Sequence, residues 1–326
     1  MLDIFIYAFN AVASILIIIL FGYFLKRKGI IDDEFSHKLN KFCFRYCLPV
    51  QLFYNVYNID TANLIDLKLL VLMAVYVSFL FIVGLFVAPI ISKENKRRSV
   101  ITMCTFRSNT AIMGMPMATY LGGEEAATIL ALIMAVTIIL FNVYTVIAFM
   151  IYGDEDKNLS FKIAIKEISK NPLIIGISVG IICLLFRQIL PFTIKDNLSP
   201  LYNAIKSYSA IASPLLLLVL GARSDLSNLK LNKELIWTVL IRLVLAPVLG
   251  FVLLFVCGLS FVSLTPAIYQ AVCAAITTPA PVSGTVVTAE LGGEEKFASS
   301  AVILSTIISP LTIFIFVVAL RYLSLI

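Results

Sequence analysis

The chain has 326 residues, of which 60% are hydrophobic and 13% charged, and its mean hydropathy is +1.01. Soluble domains carry about 25% charged residues, so this composition excludes a soluble globular protein and predicts a polytopic membrane protein. The formal net charge is +6; we expect membrane lipid as the surrounding partner and no nucleic-acid partner.

Ten segments are apolar over much of the roughly 20 residues that a helix needs to span a membrane. These predicted spans are residues 4–25, 40–57, 68–91, 99–121, 126–152, 172–190, 201–221, 234–258, 266–290 and 297–321. With the adjoining helix ends, the loops after the odd-numbered spans hold 18 of the 25 Lys and Arg residues, and the opposite side holds 5. The positive-inside rule then predicts cytoplasmic odd-numbered loops and a cell-membrane protein with both termini outside.

The peptide Leu-Gly-Gly-Glu-Glu occurs at 121–125, after span 4, and again at 291–295, after span 9. Five spans per half is an odd number, so the sequence predicts two inverted repeats, 1–152 and 171–326, joined by a cytoplasmic linker at 153–170. We interpret both copies as helix caps, since glycines end helices and glutamates stabilise the first turn of the next helix.

Glycine and proline interrupt spans 4 and 9 at corresponding positions of the two halves. Proline removes a backbone donor and glycine permits non-helical dihedrals, which predicts helix breaks at Gly114 and Pro116 and at Pro279 and Pro281. One such break usually only kinks a membrane helix. Two breaks at matching repeat positions, both rich in small polar residues, indicate a substrate site.

The predicted substrate-binding residues are Arg107, Asn109, Thr110, Gly114, Thr277, Thr278, Pro279, Pro281, Ser283 and Gly284. Asn109 and Thr110 would hydrogen-bond a carboxylate, and the threonines and serine of span 9 would add hydroxyl groups. The half-helix after each break would also point its positive end at an anion.

Two arginines, Arg107 and Arg242, lie at membrane depth, where a charge is a candidate functional group. Each could face the site or extend its side chain to the cytoplasmic surface, and both interpretations stay open. No Asp or Glu lies deep in a span, so a buried carboxylate proton relay is not indicated. The six cysteines lie in apolar segments and His37 is the only histidine, so we expect no metal site and no cofactor.

Residues 109–116 of span 4, Asn-Thr-Ala-Ile-Met-Gly-Met-Pro, resemble the N-T-x-x-M-G-x-P segment of the auxin efflux carrier family, which includes the plant PIN proteins. Leu48-Pro49, Pro214 to Gly221, Pro279 and residues 301–306 extend the resemblance over nearly the whole chain.

This resemblance implies an all-α, bile-acid-sodium-symporter-like fold of ten spans in two inverted five-helix repeats, with spans 4 and 9 crossing at their breaks. It also implies a scaffold bundle, a transport bundle and elevator-like transport of small organic anions, such as auxin or malate- and malonate-type acids. Asn109 matches the substrate-contacting asparagine of the family, and Pro279 matches its crossover position in span 9.

Two departures from the family pattern bear on the substrate. Span 3 lacks the acidic residue of plant members, and Arg107 replaces an apolar residue. Auxin is therefore disfavoured and a dicarboxylate is favoured. We predict a secondary transporter for a small organic anion, with a sodium-coupled symporter of the same fold, a channel or a membrane sensor as alternatives. An enzyme is disfavoured, and the direction of transport, the coupling ion (H⁺ or Na⁺) and a homodimer are left open.

Overall fold

The structure is a computed structural model that describes residues 2–58, 67–152, 171–189, 193–223, 231–261 and 264–326. These residues are predominantly helical and form no β-strand, which confirms the predicted all-α class for this part of the chain. The predicted linker, 153–170, lies outside the described residues, and the division into two repeats stays a prediction.

The α-helices are α1 (Leu2–Arg27), α2 (Asp33–Phe42), α3 (Leu48–Tyr57), α4 (Leu67–Ile91), α5 (Asn95–Phe106), α6 (Met115–Tyr152), α7 (Pro172–Ile189), α8 (Ile194–Asn197), α9 (Ser199–Ala222), α10 (Lys233–Leu240), α11 (Ala246–Phe261), α12 (Pro266–Ile276), α13 (Ser283–Leu291) and α14 (Glu295–Tyr322). Within the described ranges, π-helical turns connect α2 to α3 (Cys43–Cys47), lead into α6 (Thr110–Gly114) and connect α10 to α11 (Ile241–Leu245). Six helical stretches among these residues are long and apolar enough to cross a membrane, which supports a polytopic membrane protein, whereas the count of ten spans stays a prediction.

The helices pack in two groups. The first helix group contains α1, α2, α3, α7 and α9, with α1 lying along α9 and α3 lying between α7 and α9. The second helix group contains α4, α5, α6 and α10 to α14, and therefore both interrupted spans. The groups meet where α1 packs on α14 and where α3 and α9 contact α6 and the turn before it.

Glycines allow the helices of the first group to approach at backbone distance. A Cβ atom on Gly22 would lie 1.9 Å from a carbonyl oxygen of α9, and one on Gly221 would lie 1.8 Å from a carbonyl oxygen of α1. Gly176 of α7 also lies close to α3, where a Cβ would be 2.4 Å from the Pro49 oxygen. Small residues of this kind are the usual means by which membrane helices associate, because lipid provides no hydrophobic driving force between them.

We expect Gly221→Val to lower the thermal unfolding temperature of the detergent-solubilised protein, at a cost of about 3 kcal/mol, because the new side chain overlaps the α1 backbone. The matched control is Ala210→Val on the exposed face of the same helix, which should leave the unfolding temperature nearly unchanged. Equal unfolding temperatures for the two variants would show that α1 and α9 do not touch at Gly221.

One arginine connects the N-terminal ends of three helices through ion pairs. Arg97 of α5 binds Glu294, which precedes α14, and Glu234 of α10, with shortest N–O distances of 2.6 Å in both pairs. Hydrogen bonds to Glu294 raise the pKa of Arg97 above its ordinary value. The loops after spans 3, 7 and 9 therefore meet on one side of the protein, as the predicted alternation of loops requires.

On the opposite side, chain ends and loops meet around the first Leu-Gly-Gly-Glu-Glu copy. The Tyr7 hydroxyl and the Gln270 side-chain amide both donate to the Leu121 carbonyl, at 2.7 and 2.9 Å. The Arg321 guanidinium lies 4.8 Å from the centre of the Tyr7 ring. Segments near both ends of the chain thus share the side of the loop after span 4; which side faces the cytoplasm stays a prediction.

Both Leu-Gly-Gly-Glu-Glu copies interrupt helices. In the second copy, α13 ends at Leu291, the following Gly292 is in the left-handed conformation with φ of 82°, and α14 begins at Glu295. In the first copy, Gly122 and Gly123 have non-helical dihedrals inside α6 and divide it into two helical parts. The predicted role of these glycines in ending helices is confirmed, since Gly123 also has a positive φ that favours glycine.

Candidate functional site

The first interruption lies between α5 and the π-helical turn before α6. Arg107, Ser108 and Asn109 are non-helical, whereas Gly114 ends the π turn and Pro116 is the second residue of α6. The break therefore ends five residues before Gly114 and seven before Pro116, the positions that the sequence indicated. Proline is tolerated in a first helical turn because its fixed φ suits a helix and few hydrogen bonds are lost there.

Gly114 has a packing role instead. A Cβ atom there would lie 2.9 Å from the Ala274 carbonyl oxygen of α12, so only glycine lets the start of α6 reach the α12 backbone at this distance. The need for glycine at this position therefore comes from α12, a helix that is distant from Gly114 in the sequence.

The second interruption separates α12 from α13. The residues from Thr277 to Val282 are non-helical and include Pro279 and Pro281, at the positions that the sequence indicated. Here the prolines follow the last turn of α12, so their missing N–H groups remove hydrogen bonds that would have continued the helix.

The two interruptions contact each other through their backbones. The Asn109 N–H donates to the Pro279 carbonyl at 2.8 Å. These residues are 170 positions apart, which is the spacing of the two Leu-Gly-Gly-Glu-Glu copies. A second pair at this spacing also touches, since the Tyr76 hydroxyl donates to the Ala246 carbonyl at 3.0 Å. Such contacts between matching positions are expected where an axis relating two repeats passes through a protein.

Asn109 offers an unpaired donor at this contact. Its side chain is 3% exposed, and its Nδ2 atom donates to no group among the described residues. The Thr278 hydroxyl, in the second interruption, is also fully buried without a partner in that part of the chain. A buried polar group without a hydrogen bond costs about 1–3 kcal/mol, so two of them at one contact point to a ligand-binding surface.

Arg242 faces the interruptions and not the membrane surface. It is 1% exposed and lies in the π-helical turn between α10 and α11. Its guanidinium donates to the Thr105 carbonyl at 3.3 Å, to the Thr278 carbonyl at 3.1 Å and to the Ile276 carbonyl. These oxygens belong to the ends of α5 and α12 and to the second interruption, where helix termination leaves carbonyls unpaired and partly negative.

Arg107 belongs to the first interruption, its side chain extends to the end of the second, and it is only partly buried. Its Nη1 lies 3.3 Å from the Thr145 hydroxyl of α6, and its Nη2 lies 3.5 Å from the Ser283 hydroxyl, at the start of α13. Arg107 forms no ion pair with any residue that the structure describes. Its charge and the positive end of α13 therefore act at the same place, which favours a bound anion.

The remaining predicted residues differ in whether their polar groups already form hydrogen bonds within the protein. The Ser108 and Thr110 hydroxyls bind each other at 2.6 Å, and the Thr277 hydroxyl donates to the Cys273 carbonyl in the preceding turn at 2.7 Å. A Cβ atom at Gly284 would lie 3.0 Å from the Met103 side chain, so Gly284 contributes close packing. Thr277 and Thr110 are thus less available to a ligand than Asn109, Thr278 and Arg107.

Two side chains of this region were missed in the sequence. Thr145 contacts Arg107, and Ser305 of α14 accepts a hydrogen bond from the Ala280 N–H at 3.2 Å. Both are polar residues in otherwise apolar spans, a signal too common in membrane helices to single them out.

A family model described as membrane transport protein matches residues 7–317 of the chain. The chain belongs to this family, the auxin efflux carrier family. The resemblance read from residues 109–116 is confirmed, and the general function of this family is membrane transport. No curated protein matches the chain. For an auxin efflux carrier, two interrupted helices in contact are a natural place for substrate binding, because transporters commonly bind substrate at such interruptions.

Proposed function

We propose that the chain is a secondary transporter of a small carboxylate anion, bound between the two helix interruptions. The observation that carries this proposal is the unpaired Asn109 amide, buried at the contact of the interruptions and near the Arg107 charge in the chain. An amide N–H and a guanidinium together suit a carboxylate, which accepts charge-assisted hydrogen bonds.

The charge at this contact favours a dicarboxylate over a monocarboxylate. Arg107 and Arg242 bring two positive charges, and the described ion pairs include neither of them. Carbonyl dipoles already engage Arg242, whereas the side-chain hydrogen bonds of Arg107 to the described residues go to two hydroxyl groups, at 3.3 and 3.5 Å. A dianion would therefore balance both positive charges, whereas a monocarboxylate would leave one of them unneutralised in a largely buried region, where Coulomb interactions are strong.

The division into two helix groups supports an elevator-like mechanism. Both interruptions belong to the second helix group, so movement of that group along the first would carry the bound anion across the membrane. Alternating access by one rigid bundle moving against another is a common arrangement in carriers built from repeats.

The proposal is tested by ligand-dependent stability of the purified protein. We expect malonate or malate to raise the unfolding temperature, because a ligand at 100 times its Kd stabilises the folded state by about 2.7 kcal/mol. The matched control ligand is malonamide, which keeps the size of malonate and lacks its charges. Equal shifts with malonate, malate, acetate and malonamide would contradict a carboxylate site.

Flux measurements in proteoliposomes then separate the alternatives. Uptake that requires sodium would identify a sodium-coupled symporter, and uptake driven by a pH gradient would identify proton coupling. Single-channel currents would identify a channel, and binding without flux would identify a membrane sensor; either result would contradict the proposed carrier.

A further inference from the structure

A small cavity lies where the first and second helix groups meet, next to the second interruption. Its volume is about 80 Å³, room for a few water molecules or one carboxylate group. We call it the Arg223 cavity; it is lined by Leu220, Arg223, Val282, Thr285, Ser299, Val302, Ile303 and Thr306.

The inner end of the Arg223 cavity is polar and buried. Thr306 is 5% exposed, and its hydroxyl has no hydrogen-bond partner among the described residues. The neighbouring residue, Ser305, accepts the Ala280 N–H of the second interruption at 3.2 Å. The cavity therefore ends beside the interruption, at a hydroxyl group that is free to bind a ligand.

One face of α14 lines the length of this cavity. Ser299, Val302 and Thr306 are spaced by about one helical turn each, so they follow one another along that face over about 10 Å. α14 begins at Glu295, next to the Glu294–Arg97 ion pair, on the side where the loops after spans 3, 7 and 9 meet. In the predicted orientation, the cavity thus runs inward from the cytoplasmic side.

Arg223 places a positive charge on the opposite wall, at the C-terminal end of α9. It forms no ion pair within the described part of the chain. Asp33, whose charge acts on Arg223, is itself paired with Lys26 at 2.6 Å. Burial lowers the pKa of Arg223, yet an arginine remains protonated at physiological pH. Its charge is therefore available to an anion in the cavity.

We propose that the Arg223 cavity is a cytoplasmic binding site for the transported carboxylate, separate from the site at Asn109. Arg223 attracts the carboxylate, and the Thr306 hydroxyl binds it before it reaches the interruptions. This inference rests on the proposed function and on the predicted orientation. Arg223 belongs to the first helix group and Thr306 to the second. Occupancy of this site would therefore depend on the position of one helix group relative to the other.

The test uses thiol labelling, which does not require a known substrate. Thr306→Cys is reconstituted in phosphatidylcholine vesicles and exposed from each side to anionic sulfonatoethyl or cationic trimethylammonioethyl methanethiosulfonate, with wild-type labelling subtracted. We expect labelling from the cytoplasmic side, faster for the anionic reagent. Adding Arg223→Gln should lower the ratio of anionic to cationic rates about tenfold, through loss of Coulomb attraction.

The matched control is Arg27→Gln. It removes one exposed charge at the C-terminal end of α1, does not alter the residues that line the cavity, and should leave the rate ratio unchanged. A ratio insensitive to Arg223→Gln, or labelling only from the external side, overturns this inference. The failure is distinguishable from failure of the proposed function. Carboxylate flux without the charge effect overturns the cavity site and leaves the carrier. The charge effect without carboxylate binding or flux overturns the carrier, and with it the assignment of the cavity to the transported carboxylate.

Discussion

Asn109→Ala is expected to lower carboxylate uptake by about tenfold or more while leaving the unfolding temperature of the ligand-free protein nearly unchanged. A hydrogen bond to a charged group contributes about 1.5–3 kcal/mol, which corresponds to roughly 10- to 150-fold in binding. In the ligand-free protein the Asn109 amide has no partner in the described chain, so its removal breaks no side-chain hydrogen bond. Uptake into proteoliposomes and thermal unfolding, measured on the same preparation, separate the two effects.

The control for this experiment is Glu124→Ala, in the first Leu-Gly-Gly-Glu-Glu copy. Glu124 is exposed and lies at the interruption of α6, so its loss should change uptake little. Asn109→Asp provides a second comparison, because it keeps the shape and replaces the amide donor with a like-charged carboxylate. Equal uptake by wild type and Asn109→Ala, at matched amounts of folded protein, would show that the anion binds elsewhere.

Arg242→Leu is expected to have the opposite signature, with a large loss of stability. A buried acceptor left without its donor costs about 1–3 kcal/mol, and here three carbonyl oxygens would lose their donor. The substitution should abolish or greatly reduce folded, monodisperse protein after purification. Arg242→Lys should restore stability only in part, since a lysine ammonium lacks the planar fork that reaches several acceptors.

The matched control for Arg242 is Arg107→Leu. Arg107 is a second arginine at membrane depth, but it contacts two hydroxyl groups at longer distance and is partly exposed. We expect Arg107→Leu to weaken carboxylate binding and to leave most of the unfolding temperature intact. Similar unfolding temperatures for the Arg107 and Arg242 variants would refute the structural role assigned to Arg242.

These expectations assign different roles to the polar residues at the two interruptions: some stabilise the non-helical backbone and others bind the ligand. Non-helical backbone at membrane depth is tolerated only where other groups satisfy its carbonyl and N–H groups. Arg242 provides donors to the carbonyls at the ends of α5 and α12, and Ser305 accepts the Ala280 N–H. With the backbone satisfied in this way, Asn109 and Arg107 remain available to a ligand.

Several features were readable from the sequence because they depend on local chemistry. Composition alone indicated a membrane protein, since lipid is the only solvent suited to a chain with 13% charged residues. The prolines at 279 and 281 marked the second interruption, because a missing N–H disrupts a helix wherever it occurs. The segment 109–116 identified the family, which the match over residues 7–317 confirms.

Other features were decided only by tertiary structure, because they depend on partners distant in the sequence. The sequence indicated a break at Gly114. In the structure Gly114 is a packing residue, because the Ala274 carbonyl of α12 lies close to it, and the break lies at residues 107–109. Nothing in the chain near Arg242 distinguishes a side chain that reaches the surface from one that binds buried carbonyls. That choice was made by the position of α5 and α12, whose free carbonyl groups are the acceptors that a buried guanidinium requires.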